Sequence, residues 1–483
     1  MSLNSNKLIS SGTVYFIFSI LTQLINMLLI PLYTSNLSQN DYGKYELLNT
    51  IQQLLGLAIT IGVYSGLKRF FYDVENKITL KNTALNFSVL WGIVVFSFVY
   101  FISPLISDYV FSGDNEVTLY IRVIVITSLL TCLIAIYTSY YEMEFKAFRV
   151  AIVQLSILIL TFLLATYYIL ILGNGIIGIL KATLISNLLV FIVLFILDFK
   201  NYKITIHVPY LKNILYYGGG LLLGQISAWI LNLIDRFFIK ELINYSAVAV
   251  YSISSKIGML INPVFITPFA QVFTAYKFKV YKEEGGQQKI QNMFRIYNIV
   301  GCFCIFGLAI FGKIAISILA TNEYLEAYKI IPLIAISHFI WGIGQFYSLG
   351  LHVANKMMLN SLIVVISALI NIVLNILLIP HLGINGAALA TIVSYIVANI
   401  LYYYFSEKYY SLGLGLLYPY KYFTIFVLLY GVYWMLISPI QNLYIEFICN
   451  VFLCIVYVLL LIVFKFTNIQ EIRRFLLSIV KKK

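Results

Sequence analysis

The sequence predicts an all-α polytopic membrane protein of about 14 transmembrane helices: two six-helix lobes related by a pseudo-twofold, plus two C-terminal helices. Three observations predict it. Of the 483 residues, 61% are hydrophobic and only 11% are charged, more apolar surface than a soluble domain can bury. Apolar windows of about 20 residues, enough for a helix to cross a bilayer core, recur along the chain. A short motif also occurs twice: Gly175, Ile176, Gly178, Ala182, Thr183 and Ser186 match Gly383, Ile384, Gly386, Ala390, Thr391 and Ser394, each pair 208 apart.

In chain order, the first six windows fall near 14–34, 45–66, 83–106, 117–140, 149–172 and 176–198. A second six follow near 214–239, 246–271, 294–319, 328–351, 359–380 and 385–405, and two more near 420–438 and 443–464. The organising stretch is NILLIPHLGINGAALATIVS, Asn375 to Ser394. Pro380 is expected to end one helix and Gly383 to permit the turn. The small residues after it let the next helix press against a neighbour in lipid. At an offset of 206, Gly12, Ile20, Asn26 and Tyr45 fall on Gly218, Ile226, Asn232 and Tyr251. Six spans per half give the halves the same orientation, so the pathway is expected between them. The domains read from this are residues 1–212, 213–410 and 411–483, the last being two further helices and a basic tail.

The formal charge of +13 does not point to nucleic acid, because the basic residues sit in short loops where anionic lipid headgroups attract them. The N-terminus and every second loop carry most of them, from Lys68, Arg69, Lys77 and Lys81 through Lys146, Arg149, Lys200 and Lys203 to Lys465 and the C-terminal lysines. The alternate loops and their margins hold only Lys44, Arg236, Lys240 and Lys329. Both termini are therefore expected on the cytoplasmic side of the membrane. The polar start MSLNSNKLISSG lacks a small-residue cleavage site, so no removable signal peptide is expected. The outside loops are short, which disfavours an enzyme building a glycan pocket there. The five cysteines all fall in apolar spans and read as small apolar fillers.

Charges inside apolar spans are costly unless they face protein or water. Arg122 sits about one and a half turns inside its span, Lys181 about 9 Å below the outer end and Lys256 about 15 Å in. Lys256 is too deep for its head to rise comfortably to the interface, whereas Lys313, near an outer end, fits snorkelling. Asp235 and Arg236 form a candidate ion pair or coupling site, although adjacent residues do not face one another on a helix. Polar residues mark the rest of a candidate cavity. Asn49, Gln53, Thr60 and Tyr64 form one stripe on the second span, and Ser252, Ser255, Lys256 and Asn262 stand on its counterpart. Gln23 and Asn26 lie on the first span, Gln225 and Asn232 on its counterpart. Interhelical hydrogen bonding is the plainer reading of any one of them. A wet groove with cations and few carboxylates would take an anion, and a pyrophosphate suits Arg and Lys. The histidines are scattered, and no nucleophile–base set, metal cluster or cofactor motif is visible.

Three stretches, SSGTVYFIFSILTQLINMLLIPLYTSNLSQNDYGKYELLNT, LIDRFFIKELINYSAVAVYSISSKIG and NILLIPHLGINGAALATIVSY, resemble polysaccharide-export flippases. These are the Wzx/PST branch of the multidrug/oligosaccharidyl-lipid/polysaccharide exporter superfamily. The resemblance covers almost the whole chain; Ala249 departs from it where the family often has Gly. It implies two six-helix lobes around a V-shaped cavity lined by the first, second, seventh and eighth spans. It also implies alternating access and an undecaprenyl-pyrophosphate-linked oligosaccharide as cargo. By the same resemblance Lys256 and Arg236, and more weakly Arg122 and Lys181, meet the pyrophosphate, and the last two helices offer a groove for the lipid tail. Pro31, Pro263 and Pro268 are expected to interrupt helices near the gates.

The function expected is thus a flippase, not an enzyme, serving O-antigen, capsule or exopolysaccharide synthesis. Membrane lipids, a glycan polymerase and a chain-length regulator are the partners expected. The rivals are a lipid-linked peptidoglycan precursor flippase, a drug/cation antiporter (which would favour buried carboxylates) and an outside-facing glycan polymerase or ligase.

Overall fold

The computed structural model describes the backbone of residues 5–466, and the side chains of residue 18 and residues 21–466. Arg473, Arg474 and Lys481 to Lys483 of the expected basic tail lie outside the described residues. Every regular element described is helical. The first ten α-helices are α1 (Ser5–Asn36), α2 (Gln39–Thr60), α3 (Val63–Phe70), α4 (Lys77–Phe111), α5 (Asn115–Met143), α6 (Ala147–Thr166), α7 (Gly175–Asp198), α8 (Val208–Leu233), α9 (Asp235–Leu242) and α10 (Tyr245–Gly258). They are followed by α11 (Thr267–Val280), α12 (Gly286–Leu319), α13 (Ile331–Tyr347), α14 (Leu349–Val353), α15 (Met357–Leu382), α16 (Ile384–Glu407), α17 (Phe423–Val432) and α18 (Leu443–Val463). Among the described residues, 11 helices are long and apolar enough to cross a membrane, or 13 if two bent pairs each count as one span. With the 32-residue α1 beside them, each window expected from the sequence falls on helical segments, the one near 214–239 crossing from α8 into α9.

The helices are built for lipid. On α15, Ser367, Asn371 and Asn375 are buried, while Leu369, Val373, Ile376 and Leu377 are exposed, the reverse of a soluble amphipathic helix. Asn371 Nδ2 donates to Thr391 Oγ1 at 3.3 Å and Asn375 Nδ2 to Asn371 Oδ1 at 3.0 Å, so α15 and α16 are joined by polar side chains inside an apolar shell. The repeated motif has repeated geometry. Ser186 and Ser394 each donate to the carbonyl one turn back, Ala182 and Ala390, at 2.7 Å. Thr183 and Thr391 do the same to Ile179 and Ala387, at 3.0 and 3.2 Å. Gly175 and Gly383 both have positive φ, +43° and +59°, a backbone that glycine adopts without strain.

Two proline expectations are corrected. α15 continues through Pro380 to Leu382, and the turn is Gly383 alone, because a proline near a helix end forfeits only one hydrogen bond. Pro31 likewise lies inside an unbroken α1. Pro263 does mark an irregularity, a π-helical turn at Asn262–Ile266, with Pro268 in the first turn of α11 just after it. The sharper of the two bent spans needs no proline. It lies between α2 and α3, 47°, where Ile61 and Gly62 are both left-handed.

The described chain divides into two compact units, one reaching to Ser252 and joined by Leu319–Thr321, the other from Ile253 onward. Within the first, α8 and α9, which the repeat assigns to the second half, pack with α2 and α3. The reason is local: a Cβ built on Gly62 would stand 2.5 Å from Gly218 O, and one on Gly66 2.5 Å from Ile214 O. Only glycines let the two backbones meet there. The start of α4 is pinned by polar groups too: Asn82 Nδ2 donates to Asn201 O at 2.9 Å, and Asn86 Nδ2 to Lys203 O and Thr205 O at 2.9 and 3.0 Å.

In the second unit α12 is the spine on which the C-terminal segment is fastened. At one end Gln287 and Gln291 donate to Ser411 O and Leu412 O (3.1 and 2.7 Å), and Arg295 donates twice to Phe466 O (3.0 and 2.8 Å). Midway, Phe306 stacks on Tyr457 with ring centroids 4.9 Å apart, and Asn450 Nδ2 reaches Ile310 O at 2.8 Å. At the far end Lys313 Nζ donates to Ser438 O and Ile440 O at 2.7 and 2.8 Å. It also lies 3.1 Å from Glu446 Oε2, an ion pair buried to 12% and 0% side-chain exposure. Glu446 Oε1 accepts from the Tyr433 hydroxyl at 3.2 Å. Lys313 is therefore no snorkelling lysine; its head turns inward to a carboxylate.

Candidate functional site

The polar residues of the first unit gather along α2 and α8. Asn49 is half-buried and Gln53, one turn on, is exposed. On α8, Gln225 and Asn232 are half-buried. Trp229 Nε1 donates to Thr50 O at 3.3 Å, holding the two helices side by side. Gln225 Oε1 is buried and accepts no hydrogen bond, while Asn232 Nδ2 bonds back to Ala228 O at 2.6 Å. On α1, Gln23 is half-buried and Asn26 exposed. The α2 stripe is cut at Thr60, whose hydroxyl turns back to Leu57 O at 3.3 Å, just before the bend.

Asp235 and Arg236 are both buried, at 4% and 5% exposure. Adjacent residues on one helix diverge, but α8 stops at Leu233 and α9 starts at Asp235, and this break lets the pair meet. Arg236 Nη1 lies 3.4 Å from Asp235 Oδ1 and 3.1 Å from Asn232 O. Its Nε donates to Ser252 Oγ at 3.2 Å. The Tyr251 hydroxyl donates to the other carboxylate oxygen of Asp235. Arg236 is thus held in a structural knot made by an α8 carbonyl and by α9 and α10 side chains.

The other candidate cations differ from one another. Arg122 is half-buried on α5; its Nε donates to Ser103 Oγ at 3.1 Å and its guanidinium lies 3.9 Å from the centre of the Tyr100 ring, so α4 holds it. Lys181 is exposed on α7. In the second unit, Lys256 is half-buried on α10 beside buried Ser255, and Asn262 Nδ2 pairs with His338 Nδ1 at 3.3 Å. All five cysteines are free thiols.

The sequence reading missed several buried charges. Lys81 and Asp198, at 2% and 8% exposure, form an ion pair between α4 and α7. Glu46 and Lys277 are each 3% exposed, and Glu446 is 0% exposed. The expectation of a basic interior with few carboxylates is therefore corrected. Among the described residues the buried carboxylates are Glu46, Asp198, Asp235 and Glu446, the buried cations Lys81, Arg236 and Lys277. Lys81 and Glu46 sit near window ends, where they read as loop charges. Only the tertiary fold draws them inward.

Comparison with known proteins identifies the lineage. The family model described as "Polysaccharide biosynthesis protein" matches residues 36–329. The chain is 23% identical to the uncharacterized membrane protein MJ1068 of Methanocaldococcus jannaschii, over 97% of each chain. It is 27% identical to the capsular polysaccharide biosynthesis protein CapF of Staphylococcus aureus, over 36% of this chain and 45% of that one. In fold it resembles the lipid II flippase MurJ in an inward closed conformation, with a TM-score of 0.74 and 17% identity, covering 94% of this chain and 98% of the other. An inward-facing multidrug resistance MATE transporter of the MOP superfamily matches with a TM-score of 0.65 and 16% identity, over 80% and 94% of the two chains. The chain belongs to the polysaccharide biosynthesis protein family.

Proposed function

We propose that the protein is a flippase. It carries an undecaprenyl-pyrophosphate-linked oligosaccharide from the cytoplasmic to the outer leaflet of a bacterial inner (plasma) membrane by alternating access, for O-antigen, capsule or exopolysaccharide synthesis. The observation that carries this reading is the family match over residues 36–329. The polar groups along α2 and α8 support it, because Asn49, Gln53, Gln225 and Asn232 offer hydrogen bonds to a glycan. The one-sided Lys and Arg distribution supports cytoplasmic termini. A glycan polymerase and a chain-length regulator are the partners such a step would serve.

Lys256 is the cation we assign to the pyrophosphate. Arg236 is a second candidate, and it must first leave Asp235 to act. Arg122 is engaged by α4, and Lys181 is accessible at the other half's motif. Three of the four buried carboxylates among the described residues, the kind of group a drug/cation antiporter would use, are answered here by cations: Asp198 by Lys81, Asp235 by Arg236 and Glu446 by Lys313. The decisive experiment compares wild type and Lys256→Ala in proteoliposomes loaded with native lipid-linked oligosaccharide. Loss of flipping with normal insertion is the expected result; wild-type flipping would remove Lys256 from the site.

A further inference from the structure

A recess lies wholly within the first unit, away from the polar residues of α2 and α8. It is a cavity of about 760 Å³ among α4, α5, α6 and α7. One end is polar and aromatic, with Lys81, Asp198, Tyr140, Tyr141, Lys146 and Arg149 in its wall. Beyond it the wall is aliphatic, with Ile152 and Leu160 from α6 and Leu189, Val190 and Val193 from α7. Arg149 and Leu160 are 11 residues apart on α6, so the recess runs about 16 Å along the helix. That is about half of a hydrocarbon core about 30 Å thick.

The charges in the recess do not cancel. Lys81 pairs with Asp198 and Lys146 with Glu144 at 2.6 Å, which leaves Arg149 as the surplus cation. Its guanidinium lies 5.6 Å from the centre of the Tyr141 ring, and among the described residues no carboxylate is within ion-pair reach of it. One excess positive charge beside two phenols, above an apolar slot, complements one phosphodiester with acyl chains below it. A soluble anion would leave the slot empty, and a zwitterionic lipid would bring a cation to a site already positive.

We propose that this recess binds one anionic glycerophospholipid from the leaflet on the basic-rich side, phosphate at Arg149 and an acyl chain between α6 and α7. It is a lipid site separate from the cargo pathway. A volume of this size, within the range of about 300–1,000 Å³ of ordinary ligand pockets, takes the headgroup and the upper part of a chain, with the remainder in the bilayer.

The test uses the full-length protein in detergent, with phosphatidylglycerol, phosphatidylcholine, glycerol phosphate and polyprenyl pyrophosphate as probes. Bound lipid is counted by native mass spectrometry, and thermal unfolding is followed in parallel. Wild type should retain one phosphatidylglycerol and be stabilised by it, but not by phosphatidylcholine or glycerol phosphate. Arg149→Gln, an exposed residue without an ion pair, should weaken that binding about five- to tenfold, while Lys282→Gln on the second unit should not. Val193→Trp should block the slot with every charge in place. Equal retention of phosphatidylcholine, equal stabilisation by glycerol phosphate, or unchanged phosphatidylglycerol binding in both recess variants would each overturn the proposal. Tighter binding of polyprenyl pyrophosphate, lost in the same variants, would give the recess to the cargo and overturn it as well. Flipping of native cargo by Arg149→Gln at normal rate separates this test from that of Lys256.

Discussion

Lys313→Met is the substitution that probes the second unit most directly. Lys313 and Glu446 are 3.1 Å apart, which at an effective dielectric of about 20 is an attraction of about 5 kcal/mol before desolvation is subtracted. Removing the lysine leaves Glu446 as a fully buried carboxylate whose only other partner among the described residues is the Tyr433 hydroxyl. It also frees the carbonyls of Ser438 and Ile440. Breaking a buried pair from one side costs about 3–5 kcal/mol, so Lys313→Met should lose about that much unfolding free energy. Glu446→Gln keeps an acceptor for Tyr433 and leaves Lys313 its two carbonyls, and should cost only about 1–2 kcal/mol. The double variant should recover at least about 2 kcal/mol over Lys313→Met alone, because no bare carboxylate remains. Unfolding in mixed micelles titrated with a denaturing detergent measures all three. A loss below about 1 kcal/mol for Lys313→Met, or a double variant no better than the single, would refute the buried-pair reasoning.

Two further expectations concern the first unit. Gly218→Ala would put a Cβ 2.6 Å from Gly62 O, whereas Gly219→Ala meets nothing within 4 Å; thermal unfolding should show a loss of about 1–3 kcal/mol for the former and almost none for the latter. Asp114 caps α5 and accepts from Lys44 Nζ at 2.8 Å, and that hydrogen bond holds its carboxyl below the usual range. A lowered carboxyl pKa stabilises the fold above the unfolded value of about 4 and loses that contribution as pH falls through the folded one. Asp114→Asn keeps a good cap but not the charge, so the deficit, about 0.5–1 kcal/mol at neutral pH for a half-buried pair at the surface, should shrink in unfolding curves taken below about pH 4.

The helices were legible because lipid imposes one rule on all of them, an apolar stretch of spanning length, and the duplicated Gly–Ala–Thr–Ser motif revealed the repeat directly. What stayed hidden depends on contacts between distant residues. Lys313 looks like an interfacial lysine until α18 brings Glu446 beside it, 133 positions along the chain. Lys81 looks like a loop charge until Asp198 closes over it. Asp235 and Arg236 cannot meet on a regular helix, and nothing in the residues announces the break at Ile234. Pro380 was the more visible punctuation, yet Gly383 ends the helix, since a left-handed turn demands more of the backbone than one missing N–H. Lys256, Asn49, Gln53, Gln225 and Asn232 stood out as polar residues in apolar windows, and that signal marks position without saying what they bind.

The fastening of the C-terminal segment to α12 bears on what can be cut away. A chain stopped near residue 410 would keep the duplicated halves intact, yet it would strip the acceptors from Gln287, Gln291, Arg295 and Lys313 and lay bare the aromatic face around Phe306. A minimal twelve-helix version would have to be resurfaced along that whole side before lipid could wet it. The appended pair is in this sense a graft the trunk has grown around.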